Sequence, residues 1–211
     1  MKKFKDFDDA VKQLKDYLPN LRDSKTSILL GLSDSKGYLS PLLAHKLHVA
    51  LNVQFDFLFV EKIHSPVNKH CIIGMISETG NIYTNDALIN FLDIENDYIY
   101  SESSREYENI TSSSHVIKEH DLVEKIKNKD VYLVDYGICS ALKMACAIES
   151  VVHKDVKSVN IISPVIAEGV FDHLYSLVDN IYYVHKMKNF VSKKFYYKEL
   201  EKTDIESISE L

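Results

Sequence analysis

Short apolar runs that alternate with helix-length segments constrain this chain more than any other feature. SILLGL (27–32), FDFLFV (55–60), VYLV (131–134), VNIIS (159–163) and NIYYV (180–184) are rich in branched and aromatic residues and short enough to be buried strands. Helical spacing fills the gaps between them. Leu42, Leu43, Leu47 and Ala50 share one face, and Leu142, Ala145, Ile148 and Val152 share another. Ile166, Val170, Leu174 and Leu177 continue the pattern after the fourth run. Such alternation predicts an α/β fold: an open, mostly parallel twisted sheet flanked by helices, with right-handed crossovers.

Local signals refine this outline. Phe4, Phe7, Ala10, Val11, Leu14 and Leu18 predict an N-terminal helix over residues 4–18. Ser40-Pro41 and Ser163-Pro164 each read as an N-cap with proline in the first turn. CIIGMI (71–76) and NIYT (81–84) predict a hairpin around Glu78-Thr79-Gly80. Residues 93–115 are polar and read as a loop or hood, so that a small hood or hairpin insertion spans about 77–115, followed by a modest helix at 116–128. KNFVSKKFYYKEL (188–200) reads as a basic-aromatic edge, and 201–211 as an acidic C-terminal tail.

A length of 211 residues with 45% apolar content suits one core, so residues 1–200 are expected to form a single domain. The net charge of -6 argues against nucleic acid as a partner, because a phosphate backbone demands concentrated basic residues. The start of the chain has no apolar signal region, and no apolar run approaches membrane-spanning length. Cys71, Cys139 and Cys146 lack metal-type spacing, and their odd number fits reduced thiols in a cytoplasmic protein.

The segment Val131–Val152 carries the chemistry. A strand ending in Asp135, then Gly137 and Ser140, feeds directly into a helix. Ligands of open parallel sheets sit beyond the strands' carboxyl ends. Unpaired N–H groups at a helix start attract an anion, and Ser140 adds a hydroxyl. Asp135 can accept bonds from sugar hydroxyls or help to place a cation. The layout suits a phosphorylated sugar. The plainer reading is a capped turn.

VYLVDYGICSALKM resembles the loop of the type I phosphoribosyltransferases, which use phosphoribosyl diphosphate. Among them the chain is most similar to bacterial phosphoribosyltransferases of unassigned substrate. The family pattern is an apolar strand followed by Asp-Asp-Gly-x-Ala-Thr-Gly-x-Thr. Asp135 and Gly137 match it. Tyr136 replaces the second acid, Cys139 the alanine, Ser140 the threonine, Ala141 the glycine and Lys143 the last hydroxyl residue. The loss of one carboxylate and one glycine weakens the expectation of turnover.

The similarity covers most of residues 1–197. Ser33, Asp34, Ser35, Lys36 and Gly37 stand at the family's diphosphate loop. In FLFVEKIHSPVNKHCIIGMISETG, Lys62, Pro66, Asn68 and Gly74 match, while Glu61 takes an arginine position and His70 a glutamate position. SREYEN (104–109) is similar to the hood segment, and SPVIAEGVFDHLYSLVDNIYYV to the family's final strand–helix–strand.

The resemblance implies transfer of a phosphoribosyl group from phosphoribosyl diphosphate to an unidentified nucleophile, with Mg²⁺ and the diphosphate loop neutralising the leaving group. Asp135 would hold the ribose and reach the metal largely through ligand and water. Ser140 would hold the 5′-phosphate and Lys36 the diphosphate, and Lys62, near the diphosphate, would serve with Asp135 as a catalytic residue. Ile138 and Leu142 complete the loop. A homodimer is compatible with this reading.

Two other classes compete. A non-catalytic domain that binds a phosphorylated sugar or nucleotide fits the substitutions at Glu61, Tyr136 and Ala141. A cysteine hydrolase would use Cys139 on the strand-to-helix turn, with Asp179 and His185 downstream. His45 and His48 share a helical face, but further metal ligands are not evident.

Overall fold

The computed structural model describes residues 3–34, 37–117 and 122–200. Ser35, Lys36 and the tail at 201–211 therefore lie outside the described residues. Strands β1 (Ser27–Ser33), β2 (Gln54–His64), β3 (Ile72–Ser77), β4 (Ile82–Thr84), β5 (Asp130–Val134), β6 (Ser158–Ala167) and β7 (Asn180–Met187) join in one sheet, ordered β4-β3-β2-β1-β5-β6-β7. Pairings from β2 through β1, β5 and β6 to β7 are parallel, whereas β3 and β4 are antiparallel additions at one edge.

Period-two alternation explains why the sheet is covered on both faces. Ile28, Leu30 and Leu32 of β1, with Val131 and Leu133 of β5, point into the core under α5 (Leu122–Ile126), α6 (Ala141–Val152) and α7 (Glu168–Tyr175). Leu29, Tyr132 and Val134 point the other way, toward α1 (Phe7–Leu14) and α2 (Leu39–Leu51). All of β1 is buried, as an interior parallel strand should be. Gly31 sits where α2 presses on β1: a Cβ there would lie 2.6 Å from the Pro41 Cα. Only glycine permits that approach.

The structure corrects several expectations. The N-terminal helix is shorter than residues 4–18, because Phe4 bridges to Tyr197 and Asp6 caps the helix through the Asp9 N–H. Helix α2 begins at Leu39, so Ser40 is a buried first-turn residue and not the N-cap. Ser163-Pro164 does not start a helix. β6 runs through it to Ala167, and β5 has already ended opposite Ile162, so Pro164 lies beyond the last pair of that ladder. The polar stretch read as a loop is largely α4 (Asn96–Ile117), which sets Ile99 and Ile110 against Phe57 and Phe59 of β2. A short helix α3 (Asp86–Phe91) precedes it. The hairpin of β3 and β4 is as expected.

One consequence of the strand order positions the site. From β1 the chain proceeds through α2 to β2 on one side, and from β5 it proceeds through α6 to β6 on the other. The carboxyl ends of β1 and β5 thus flank a topological switch point, where connections diverge and leave a crevice.

Candidate functional site

The crevice is a cavity of about 310 Å³. β1 leads into it with Asp34, β2 with Lys62, β5 with Asp135 and Tyr136, and the start of α6 with Ser140 and Lys143. Ile72, Met75, Leu142 and Met144 form an apolar wall. A polar floor with apolar flanks is the usual make-up of a small-molecule site.

After β5 the backbone stays tied to β6. The Asp135 N–H donates to the Ile162 carbonyl at 3.1 Å, and the Ile138 N–H donates to the Val165 carbonyl at 2.9 Å. Asp135 is 3% exposed. One of its oxygens accepts the Gly137 N–H at 2.9 Å, which fixes the carboxylate and the turn together. Neither Gly137 nor Ala141 has a positive φ, so the loop does not depend on a left-handed glycine at either place. Gly137 instead sits in close packing: an added Cβ would lie 3.3 Å from the Lys193 stem and from Val165 Cγ1, which would have to give by a few tenths of an ångström.

Ser140 is the N-cap of α6, in extended conformation, and its hydroxyl makes no capping bond. That leaves the exposed hydroxyl beside the unpaired N–H groups of the first turn. Lys143 does not point to solvent. Its ammonium crosses to the end of β1 and donates to the Leu32 carbonyl at 3.2 Å. Burial pushes its pKa below the ordinary lysine value, while Asp135 acts in the opposite direction.

Lys62 pairs with Asp34 at 2.9 Å. The Asp34 carbonyl also accepts the Gly37 N–H, 3.2 Å away. Ser33 is fully buried, and its hydroxyl donates to the Asp34 and Gly37 carbonyls at 3.2 and 3.4 Å. The cavity lining thus includes Asp34, Gly37, Lys62, Asp135, Tyr136, Ile138, Cys139, Ser140, Leu142 and Lys143. Ser33, Gly137 and Ala141 support the lining without joining it.

Sequence reasoning missed Lys193. The basic-aromatic segment is only partly a surface edge: Val191, Lys194 and Phe195 are exposed, but Tyr196 and Tyr197 are buried and Lys193, at the start of the 3-10 turn Lys193–Tyr196, lines the cavity. The Phe4 N–H donates to the Tyr196 carbonyl and the Lys198 N–H to the Phe4 carbonyl, both at 2.9 Å. The Tyr197 hydroxyl donates to the Tyr136 carbonyl at 2.5 Å. Anchored in this way, Lys193 places its ammonium 2.9 and 3.0 Å from the two Asp135 oxygens and 5.1 Å from the centre of the Tyr136 ring. Desolvation pulls the Lys193 pKa down, but the Asp135 charge and hydrogen bond outweigh it, so the net shift is upward. The adjacent tyrosines Tyr196 and Tyr197, both buried, were the one hint in the sequence that this segment packs inward.

Tyr136, standing where the resemblance expects a second acid, lines the cavity. Its N–H donates to the Ser40 hydroxyl at 3.3 Å, and its ring meets Phe7 and Tyr197. Burial raises its phenol pKa, opposed by Lys193.

The described cavity residues offer Mg²⁺ no ready cluster of direct protein ligands. Asp34 and Asp135 are the cavity's carboxylates, and both already face a lysine. Among the described residues, no cluster of three His, Cys, Asp or Glu could hold a metal ion. His48 bonds the Val53 carbonyl through Nδ1 at 2.6 Å. Nor is a hydrolase relay assembled. Asp179 accepts the Val159 N–H at 2.8 Å, and His185 packs on the Phe4 ring, 5.3 Å between centroids, so neither lines the cavity with Cys139.

No family model matches the sequence. Among solved structures, TT1426 from Thermus thermophilus is similar over 100% of this chain and 97% of its own, with 20% identity and a TM-score of 0.77. The two share a fold. A purine phosphoribosyltransferase from Pyrococcus horikoshii matches 94% of this chain and 91% of its own at 14% identity and a TM-score of 0.49. No helix among the described residues is long and apolar enough to cross a membrane.

Proposed function

We propose that this chain is a phosphoribosyltransferase-like protein that holds the phosphoribosyl group of phosphoribosyl diphosphate in the strand-end cavity and transfers it to a nucleophile. The observation that carries this reading is the juxtaposition of Ser140 and the α6 start with the buried Asp135 carboxylate and the Lys62–Asp34 pair. The helix start and Ser140 suit the 5′-phosphate. Asp135 suits the ribose hydroxyls, and the lysines suit the diphosphate. In transfer, the bond from ribose C1 to the diphosphate oxygen breaks as the nucleophile bonds to C1. The leaving group carries both electrons away as an anion, which preorganised ammonium groups stabilise.

A second reading, binding without turnover, draws on the Lys193–Asp135 pair and on Tyr136. Both leave fewer groups for the sugar than the family pattern has.

Calorimetric titration with phosphoribosyl diphosphate, together with assay of diphosphate release in the presence of nucleobases or ammonia, separates the readings. The proposal predicts saturable binding and nucleophile-dependent release. Binding without release under every nucleophile supports the second reading. No binding sinks both.

A further inference from the structure

The cavity brings three ammonium groups, from Lys62, Lys143 and Lys193, against two carboxylates, from Asp34 and Asp135. With all five groups charged, the balance among these described residues is one positive charge, before the N–H groups of α6 are considered. Lys193 stands apart because of its position. Its ammonium contacts both oxygens of Asp135, the carboxylate nearest the start of α6 that could serve a divalent cation. A cation brought there would either displace the ammonium from a buried pair or sit beside it against like charge. The pair is not incidental: Lys193 is held by a turn tied to Phe4 and Tyr136, and its stem packs closely over Gly137.

An ammonium carries three donors, and the two Asp135 oxygens use two of them. The third is available to a phosphorylated sugar. We infer that the Lys193 ammonium takes the place of a divalent metal in this pocket, so that the protein binds a phosphorylated ribose, or its diphosphate, independently of metal. The inference rests on the proposed ligand class. It adds that charge neutralisation is built into the chain, delivered by the C-terminal turn instead of recruited from solution.

The test is calorimetric titration of the full chain with two probes, ribose 5-phosphate and phosphoribosyl diphosphate, each in excess EDTA and in excess MgCl₂. Lys193→Met and Lys193→Arg accompany the unsubstituted protein. For the unsubstituted protein, ribose 5-phosphate affinity in EDTA should lie within about threefold of that in MgCl₂, a difference under ~1 kcal/mol. Lys193→Met should lose about tenfold or more in EDTA and recover part of the loss in MgCl₂, while Lys193→Arg should keep most of its EDTA affinity. Binding by the unsubstituted protein that appears only with MgCl₂ overturns the inference and leaves the proposed ligand class standing. Undiminished EDTA binding by a folded Lys193→Met also overturns it. If Lys193→Met does not fold, the comparison of the unsubstituted protein with and without metal still decides. No binding of either probe in either buffer removes the ligand class, and the inference with it.

Discussion

Replacing Lys193 with methionine removes a cation while keeping most of the stem that packs on Gly137. The Asp135 side chain is 4% exposed and that of Lys193 26%, so the pair is largely out of water. Truncating one partner of a buried pair commonly costs about 3–5 kcal/mol, because the remaining charge is stranded. Two features place this case near the lower end. Asp135 keeps the Gly137 N–H, and a quarter of the lysine side chain still meets solvent. Loss of the cation over the Tyr136 ring adds about 0.5–1 kcal/mol.

Lys193→Met should therefore destabilise the fold by about 3 kcal/mol, a large share of the stability of an ordinary domain. Asp135→Asn strands the lysine instead and should also destabilise. The double variant Asp135→Asn with Lys193→Met removes both charges and should be more stable than the sum of the single effects by at least ~1 kcal/mol. Urea unfolding of the four proteins, followed by circular dichroism, gives the cycle directly. Additive single effects, with a coupling under ~0.5 kcal/mol, would refute the claim that the two side chains act as a buried pair.

Further outcomes follow from other residues. Gly31→Ala brings a Cβ to 2.6 Å from the Pro41 backbone, so β1 and α2 must part; urea midpoints should register a loss of about 2–3 kcal/mol, and an unchanged midpoint would contradict that packing. Burial pushes the Cys146 thiol up to about 12, so this cysteine should not react with a disulfide reagent in the folded protein and should titrate only in denaturant, whereas exposed Cys139 reacts at once. A Cys139→Ser variant that retains the whole fast phase would argue otherwise. Lys193 has a raised pKa in the folded state, so its stabilisation is complete below the ordinary lysine value of 10.5 and is lost as pH rises through the higher folded value. The stability gap between the unsubstituted protein and Lys193→Met should hold constant up to about the ordinary lysine value, narrow as pH rises from there through the folded value, and level off above it; a gap that widens with alkali would reverse the assignment.

The parts of the fold legible in the sequence are those where one local pattern suffices. β1 and β5 alternate their side chains between two covered faces, and that burial makes them read as compact apolar runs. The Asp135–Ser140 turn was visible because a strand must hand over directly to a helix there. α4 escaped notice because, among its described side chains, most Ser, Glu and Tyr residues are outward and few positions such as Ile99 and Ile110 meet the sheet. Ser163-Pro164 misled for a different reason: the same pair that starts a helix is tolerated in a strand that outlasts its neighbour. Lys193 was least legible. It lies 58 residues beyond Asp135, and nothing local marks one lysine of a basic run as the one that turns inward. The constraint comes from the Phe4 bridge and the Tyr197–Tyr136 contact, which exist only once the chain has folded.

The central claim is that the cavity at the ends of β1 and β5 is built for a phosphorylated ribose, with Asp135 at its centre. Calorimetric titration of phosphoribosyl diphosphate into the unsubstituted protein and into Asp135→Asn tests it most directly. The expected result is single-site binding that weakens about tenfold or more in the variant, with its fold retained by circular dichroism. Binding of equal strength in both proteins, or none in either, would contradict it.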